Sequence, residues 1–298
     1  MKWFSFLFII LGMTLSMIPS VPQAEILAML NYESKPQQTI RREGIAIIDV
    51  DPASENFSNI LLDIPLPPNL VNHHIFYNKD TSKAYITALG QSNLHVMDMT
   101  RYPYRIKKVE VPECIVGEDI VFSRDNKTWF LTCMGSSKVI VGNAVTDQTV
   151  KTITPSTPYP HGIAINEDID RMIITSTVNA ADLGDPGEVV TVLEISTGKE
   201  LSIHKLSNKP SPSGVAPVEV LFVPDAEPPF AYVTNMYDGT IWAGTWYPEK
   251  KDFAFVEAFD FTPVGGGVPL EMYFNEKGDR MYVTYGESRA ISHLRYRQ

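Results

Sequence analysis

The sequence lacks a basic cluster, and its 35 acidic against 25 basic side chains give a net charge of −10. A surface that follows nucleic-acid phosphates is therefore excluded. No G-x-S-x-G motif is present, so a serine hydrolase has no nucleophile elbow. The glycine run 265–267 precedes a predicted strand rather than a helix, which argues against a phosphate-binding loop. An acidic surface favours cationic partners or metal ions.

Cysteine is scarce: Cys114 and Cys133 are the two in 298 residues. Cys114 precedes the first strand of a predicted hairpin and Cys133 ends the second, so both fall on one side of that hairpin. An oxidising compartment would permit a disulfide between them. Spacing alone leaves open whether the two sulfur atoms come within bonding distance.

A single long apolar run occurs, at residues 4–17, after Lys2 and before a stretch of small residues that ends at Ala24. This pattern is typical of a secretory signal peptide, and the run is shorter than the roughly 20 residues of a membrane-spanning helix. We expect residues 1–24 to be removed, with cleavage after Ser20 or Ala24. The mature protein is then periplasmic or extracellular.

An aromatic or β-branched run that ends in threonine recurs five times. The terminal threonines are Thr87, Thr132, Thr175, Thr234 and Thr284. Around each of them, short apolar runs alternate with turn-forming residues, as in a four-stranded antiparallel meander. A meander repeated at this period predicts an all-β propeller, because radial stacking buries both faces of every sheet.

Six meanders are predicted, and we expect residues 25–298 to form a single domain. The four full units are 71–111, 117–154, 161–206 and 217–261. The terminal units are incomplete: residues 26–65 match the second, third and fourth runs, and residues 269–297 match the first three. The pattern favours a six-bladed β-propeller, and five or seven blades remain open because the end units are partial.

Several polar side chains are predicted to meet at one mouth of the propeller. The starts of the first runs and the ends of the second runs emerge on the same face, near the axis. The starts are His73-His74, Glu118-Asp119, His161-Gly162, Glu219 and Glu271. The ends are Cys133-Met134, Asn235-Met236 and Tyr285.

Imidazoles combined with carboxylates suit a divalent transition metal, and nearby sulfur favours copper. The predicted metal ligands are His73, His74, His161 and Glu118. Glu118 is also the predicted catalytic acid or base. Further possible residues of the mouth are Glu219, Glu271, Cys133, Met134, Asn235 and Tyr285. The alternative is that the histidines and glutamates only form hydrogen bonds with the backbone.

Several stretches carry a family resemblance. Residues 49–58, the segment Ile64-Pro65-Leu66-Pro67 and the pair His73-His74 resemble the opening of the selenium-binding protein and methanethiol oxidase family. Residues 216–220 and 239–242 are similar to that family's penultimate stretch. In addition, Tyr232-Val233-Thr234-Asn235 resembles the signature of YVTN β-propeller repeats.

The resemblance implies a propeller that holds copper through histidines in its tunnel and oxidises small thiols. His73 and His74 match the paired histidines of the family. The chain departs from the family at Glu118-Asp119-Ile120, where the family has H-x-x-H-C, and at Tyr285-Gly286-Glu287, where it has another histidine. His161 adds an imidazole where the family usually has none.

Three functions follow as hypotheses. The first is a copper-dependent oxidase of small sulfur compounds. The second is a non-catalytic propeller that binds a protein or small ligand through loops 179–188 and 237–239. The third is a lactonase-type hydrolase whose calcium ion is held by Glu118, Glu219 and Glu271, since oxygen-rich ligation suits calcium.

Overall fold

The structure is a computed structural model that describes most of the chain after the predicted signal peptide. The described residues are 26–35, 37–68, 70–265, 267–275 and 277–286, with the backbone of 292–295. The signal peptide predicted at 1–24 and Glu287 lie outside them. No helix in the described part of the chain is long and apolar enough to cross a membrane. Its helical segments are the short 3₁₀ turns Met134–Ser136 and Thr262–Val264.

Strands form six antiparallel sheets in the described residues, each built from one predicted meander. The first sheet contains β1 (Leu27–Glu33), β2 (Glu43–Asp49) and β3 (Ile60–Leu66). The second contains β4 (Asn72–Tyr77), β5 (Lys83–Ala88), β6 (Asn93–Asp98) and β7 (Arg105–Glu110). The third contains β8 (Gly117–Phe122), β9 (Thr128–Cys133), β10 (Lys138–Asn143) and β11 (Thr149–Ile153).

The remaining sheets repeat this order. The fourth contains β12 (Pro160–Asn166), β13 (Arg171–Ser176), β14 (Val189–Glu194) and β15 (Glu200–Lys205). The fifth contains β16 (Pro217–Phe222), β17 (Phe230–Asn235), β18 (Thr240–Tyr247) and β19 (Asp252–Asp260). The sixth contains β20 (Pro269–Phe274), β21 (Arg280–Tyr285) and β22 (Ser292–Arg295). The prediction of an all-β chain of antiparallel meanders is confirmed.

The hydrophobic core lies between successive sheets. Between the second and third sheets, for example, Tyr85 and Leu94 pack with Phe122 and Trp129. The second and third strands of each full sheet are buried on both faces, whereas an outer strand such as β7 is largely exposed. Each large apolar side chain buried in this way stabilises the fold by about 1.5–3 kcal/mol.

The first strands of the sheets are innermost. β8 packs against both β4 and β12, while β16 packs against β12 and β20. The predicted place of the first runs nearest the axis is therefore confirmed for these five strands. The arrangement brings the starts of β4, β8, β12, β16 and β20 together at one face.

The first sheet enters this ring differently. Asn31 of β1 donates a side-chain hydrogen bond to the backbone oxygen of His73 at 2.5 Å. In the third, fourth and fifth sheets, the same bond to the next sheet comes from the terminal threonine of the second strand. β1 therefore occupies a second-strand position, as the sequence match indicated.

The two cysteines form a disulfide, which resolves the alternative that spacing left open. Cys114 and Cys133 lie 19 residues apart in sequence, with their Cα atoms 5.1 Å apart, and both are buried. Closing a loop of this size stabilises a protein by about 3 kcal/mol in the chain-entropy view. The bond ties the segment before β8 to the end of β9.

Candidate metal centre

Each of the five inner strands begins with a β-bulge at the same register. Two residues of the first strand lie opposite the single threonine that ends the run in the second strand. The first bulge residues are His73, Glu118, His161, Val218 and Leu270. The second bulge residues are His74, Asp119, Gly162, Glu219 and Glu271. Because the bulge interrupts strict alternation, neighbouring side chains can face the same side of the strand.

The repeated threonine is explained by this bulge. In every one of the five sheets, its hydroxyl oxygen accepts the backbone N–H of the second bulge residue, at 2.8–3.2 Å. In three sheets the hydroxyl also donates to the backbone oxygen of the first bulge residue in the next sheet, as Thr132 does to His161. The threonines therefore fix each bulge and link it to its neighbour.

A residue in the left-handed region precedes each bulge by two positions. These residues are Val71, Val116, Tyr159, Ala216 and Val268, with φ between 46° and 57°. Their carbonyl oxygens accept backbone N–H groups from just beyond the second strands. A left-handed conformation is costly for a β-branched residue such as valine. Its recurrence shows that one strained backbone template builds all five positions.

Three first bulge residues form a compact donor set. The Nε2 atoms of His73 and His161 lie 3.1 Å and 3.5 Å from Glu118 Oε2. One ligand atom from each of the three residues lies within 4.8 Å of the others. Glu118 is 1% exposed and His161 9% exposed. Three consecutive sheets thus supply two imidazole nitrogens and one carboxylate oxygen to the same point.

The contacts of Glu118 fit a bound cation. Its Oε2 atom is buried but makes no hydrogen bond, although two imidazole nitrogens lie close to it. A buried carboxylate oxygen without a hydrogen bond is expensive, since burial removes its hydration. A metal ion between the three donor atoms would coordinate this oxygen and both nitrogens together. The residues therefore fit a metal ion that prefers nitrogen and oxygen ligands.

His74 is placed one residue beyond this donor set. Its ring stacks on that of His73 with centroids 3.8 Å apart and an interplanar angle of 18°. Its Nδ1 atom lies 2.9 Å from Asp119 Oδ1, and its Nε2 atom lies 3.8 Å from Glu271 Oε1. Burial acts to lower the pKa of His74, but the bond to Asp119 and the surrounding carboxylates raise it to about 9. His74, predicted as a metal ligand, therefore lies beside the donor set, stacked on His73 and bonded to Asp119.

Two glutamates complete the ring of second bulge residues. Glu219 is buried, its Oε1 atom accepts the backbone N–H of Val220 at 2.7 Å, and its carboxyl group shares a hydrogen bond with Glu271. Burial, followed by the charges of Asp119 and Glu271, raises the pKa of Glu219 well above its ordinary value. This shift favours the protonated form of Glu219. The carboxyl group of Glu118 therefore lies with His73 and His161, whereas that of Glu219 lies with Glu271, and the two do not form one oxygen-rich metal site.

The ends of the second strands do not join the donor set. Cys133 was predicted as a soft sulfur at the mouth, and its sulfur is instead bonded to Cys114, which corrects that prediction. Met134 is buried in an apolar cluster with Val178 and Ala216.

The other two predicted residues of the mouth have structural partners. The amide of Asn235 donates to the backbone oxygen of Leu206 at 2.8 Å and contacts Thr240. The ring of Tyr285 packs edge-on against Phe261 with centroids 5.1 Å apart. Each residue directly follows the terminal threonine of its strand, where Asn235 forms hydrogen bonds and the ring of Tyr285 packs on Phe261.

Asp119 was placed at a strand start by the sequence but was not among the predicted metal ligands, and the structure brings it next to them. It is 2% exposed and lies between two histidines, with Oδ1 on His74 and Oδ2 at 3.9 Å from His161 Nδ1. Burial acts to raise its pKa, but the hydrogen bond from His74 and the charges of His161 and His74 lower it. A signal was present, because Asp119 directly follows Glu118 at an aligned strand start.

Comparison with solved structures defines the fold class. No known family model matches the sequence, and no curated protein matches it either. The WD40 repeats of RRP9 are similar with a TM-score of 0.55 at 11% identity, over 73% of this chain and 58% of that one. Together with the antiparallel sheets ordered around common inner strands, this similarity identifies a β-propeller-like fold.

Two other solved structures superpose on this chain with higher TM-scores. A hypothetical selenium-binding protein from Sulfolobus tokodaii gives a TM-score of 0.71 at 13% identity, over 87% of this chain and 69% of that one. A protein from Lactobacillus plantarum gives 0.69 at 15% identity, over 90% and 77%. At such identities the similarity concerns the fold alone.

Proposed function

We propose that the protein is an exported, six-bladed β-propeller that binds copper through His73, Glu118 and His161 and oxidises small sulfur compounds. The observation that carries the proposal is the buried Oε2 atom of Glu118, which makes no hydrogen bond and faces two imidazole nitrogens. Export is supported by the N-terminal pattern, and the disulfide suits an oxidising compartment.

Six blades are supported by the six sheets and by the side-by-side order of the inner strands β4 to β20. The two terminal sheets contribute three described strands each. In this proposal residues 25–298 form a single domain, with β1 in the second-strand place of the first blade.

Copper is proposed for its affinity rather than for sulfur ligation. Two imidazoles and a carboxylate are also a donor set for zinc or iron(II), and copper(II) binds most tightly in the Irving–Williams order. The sulfur of Cys133 no longer supports copper because it lies in the disulfide. The sequence resemblance to selenium-binding proteins and methanethiol oxidases, together with the fold similarity, adds support.

Copper held by His73, Glu118 and His161 would supply redox chemistry, by which electrons from a thiolate could reach dioxygen. The chain's own part is to hold the donors in place and to limit access of water, since Glu118 and His161 are buried. Val218 and Leu270 occupy the equivalent bulge positions in the fifth and sixth sheets, so two of the five first bulge positions are apolar. Two thiols that form one disulfide release two protons and two electrons, which reduce one dioxygen to hydrogen peroxide.

The first test is elemental analysis of protein purified without a tag. We expect one equivalent of copper in the unmodified protein and its loss in His73→Ala and His161→Ala. The control is His204→Ala, which removes a histidine that pairs with Asp252 away from the centre. Metal content that is the same in all four proteins would refute the site.

The second test is hydrogen peroxide release with a small alkyl thiol. A copper-loaded protein that consumes no thiol would leave a metal-binding propeller and remove the oxidase. Calcium in place of copper would favour the hydrolase, although Glu118 faces two histidines while Glu219 shares its hydrogen bond with Glu271.

One observation favours a binding function as a second candidate. The loops predicted to carry a binding face meet in the structure, where the Tyr237 hydroxyl donates to the backbone oxygen of Leu183 at 2.9 Å. Both side chains are exposed. Native protein that contains no stoichiometric metal would support this candidate over the oxidase.

A further inference from the structure

We propose that Asp119 is a positioning residue that orients both imidazole ligands of the metal centre. It acts directly on His161 and, through the stacked ring of His74, on His73. The inference rests on the proposed metal site and deepens it, because it assigns the group that sets the tautomer and direction of the ligands. Asp119 itself does not contact the ion in this proposal.

The first link concerns the Nδ1 atom of His161, the ring nitrogen that faces away from Glu118. Its Nε2 atom faces Glu118, so its proton must be carried on Nδ1 when Nε2 binds a metal ion. That Nδ1 atom is buried and makes no hydrogen bond, and Asp119 Oδ2 lies 3.9 Å away. A ligand imidazole usually donates its second N–H to a carboxylate or carbonyl, which fixes the ring. In this proposal Asp119 accepts that N–H once an ion is bound, as the two atoms close from 3.9 Å to hydrogen-bond distance.

The indirect contact runs through His74. Asp119 Oδ1 holds His74 Nδ1 at 2.9 Å, and the ring of His74 lies flat against that of His73. Rotation of His73 away from Glu118 would break this stacking. One carboxylate therefore restrains imidazoles that come from two different strands, β4 and β12.

Asp119 is itself rigidly held. Its backbone N–H donates to Thr132 at 3.0 Å, and the same hydroxyl group donates to the backbone oxygen of His161. It is also the neighbour of Glu118 in one bulge. A ligand and the carboxylate that orients the other ligands are thus placed by a single local backbone conformation.

Zinc binding tests the inference without reliance on catalysis. Calorimetry with Zn²⁺ alone on the metal-free protein should show that Asp119→Asn raises Kd by about 10- to 100-fold, the range typical of such outer contacts. The matched control is Asp252→Asn, which removes the carboxylate of the remote pair with His204 at 3.0 Å. We expect Kd of this variant to change by less than about threefold, because its carboxylate faces no ligand. Equal Kd values for Asp119→Asn and the unmodified protein would overturn the inference.

A spectroscopic measurement on the unmodified protein tests the orientation of His161 without any variant. The chain has six histidines, so selective ¹⁵N-histidine labelling gives few signals. In the zinc-loaded unmodified protein, we expect His161 to bind through Nε2 and to show a hydrogen-bonded Nδ1–H proton. Zinc binding without that proton would overturn the role of Asp119, even if the variant fails to fold. Absence of zinc binding in the unmodified protein would instead refute the metal site itself.

Discussion

Replacing Thr132 by valine tests the hydroxyl group that links the backbones of Asp119 and His161. Valine keeps the shape of threonine but removes a hydroxyl that accepts the N–H of Asp119 and donates to the backbone oxygen of His161. Each bond contributes about 1 kcal/mol, and an unpaired buried backbone group costs about 1–3 kcal/mol. Because Thr132 is fully buried, water cannot replace the hydroxyl. We expect a loss of about 2–4 kcal/mol in the free energy of unfolding.

Urea unfolding of the metal-free protein measures this loss as a lower midpoint at constant slope. Thr234→Val is the matched control, because its hydroxyl makes the same two bonds to Glu219 and Leu270 in a part of the ring without ligands. Both variants should lose similar stability, but Thr132→Val alone should weaken zinc binding. A change below about 0.5 kcal/mol in Thr132→Val, the range of ordinary surface substitutions, would refute the role given to the hydroxyl. Equal zinc affinities in both variants would refute its link to the centre.

Three further results are expected. Gly162→Ala should lower stability by about 1–3 kcal/mol in thermal unfolding, because the new Cβ would lie 2.3 Å from the backbone oxygen of Val218; an unchanged Tm would contradict the close approach of β12 and β16. Reducing the bond between Cys114 and Cys133 should cost about 2–4 kcal/mol, measured by unfolding with and without reductant, and equal curves would contradict it. The raised pKa of Glu219 means that the folded, metal-free protein keeps a proton which the unfolded chain releases, so stability should fall as pH rises above about 4.5. Glu219→Gln should flatten that pH dependence, and an unaltered slope would show that another group causes it.

The sequence was most informative about position along the strands. Alignment of the repeats placed His73, Glu118 and His161 at equivalent starts, and the structure brings these three residues together. This was possible because the register of a repeat is set by its period and its terminal threonine. Neither depends on the identity of the side chain at the mouth.

Side-chain partners were harder to foresee for a physical reason. Strict alternation along a strand would send successive residues to opposite faces, whereas the bulge lets His73 and His74 stack on one side. Spacing likewise could not show that Cys133 is consumed by a disulfide. The contact between Asp119 and His74 depends on the direction of the His74 side chain, which packing determines and the sequence pattern does not.

The left-handed residues before the bulges have a consequence for how this protein can change. All five bulges share one backbone conformation, while their first residues carry imidazole, carboxylate or alkyl groups. At Val218 and Leu270, a metal-binding side chain could therefore be introduced on a backbone that already has this conformation. Because β16 packs against β12, a histidine in place of Val218 would occupy the bulge position next to that of His161. Metal ligands could therefore be added to the centre one strand at a time.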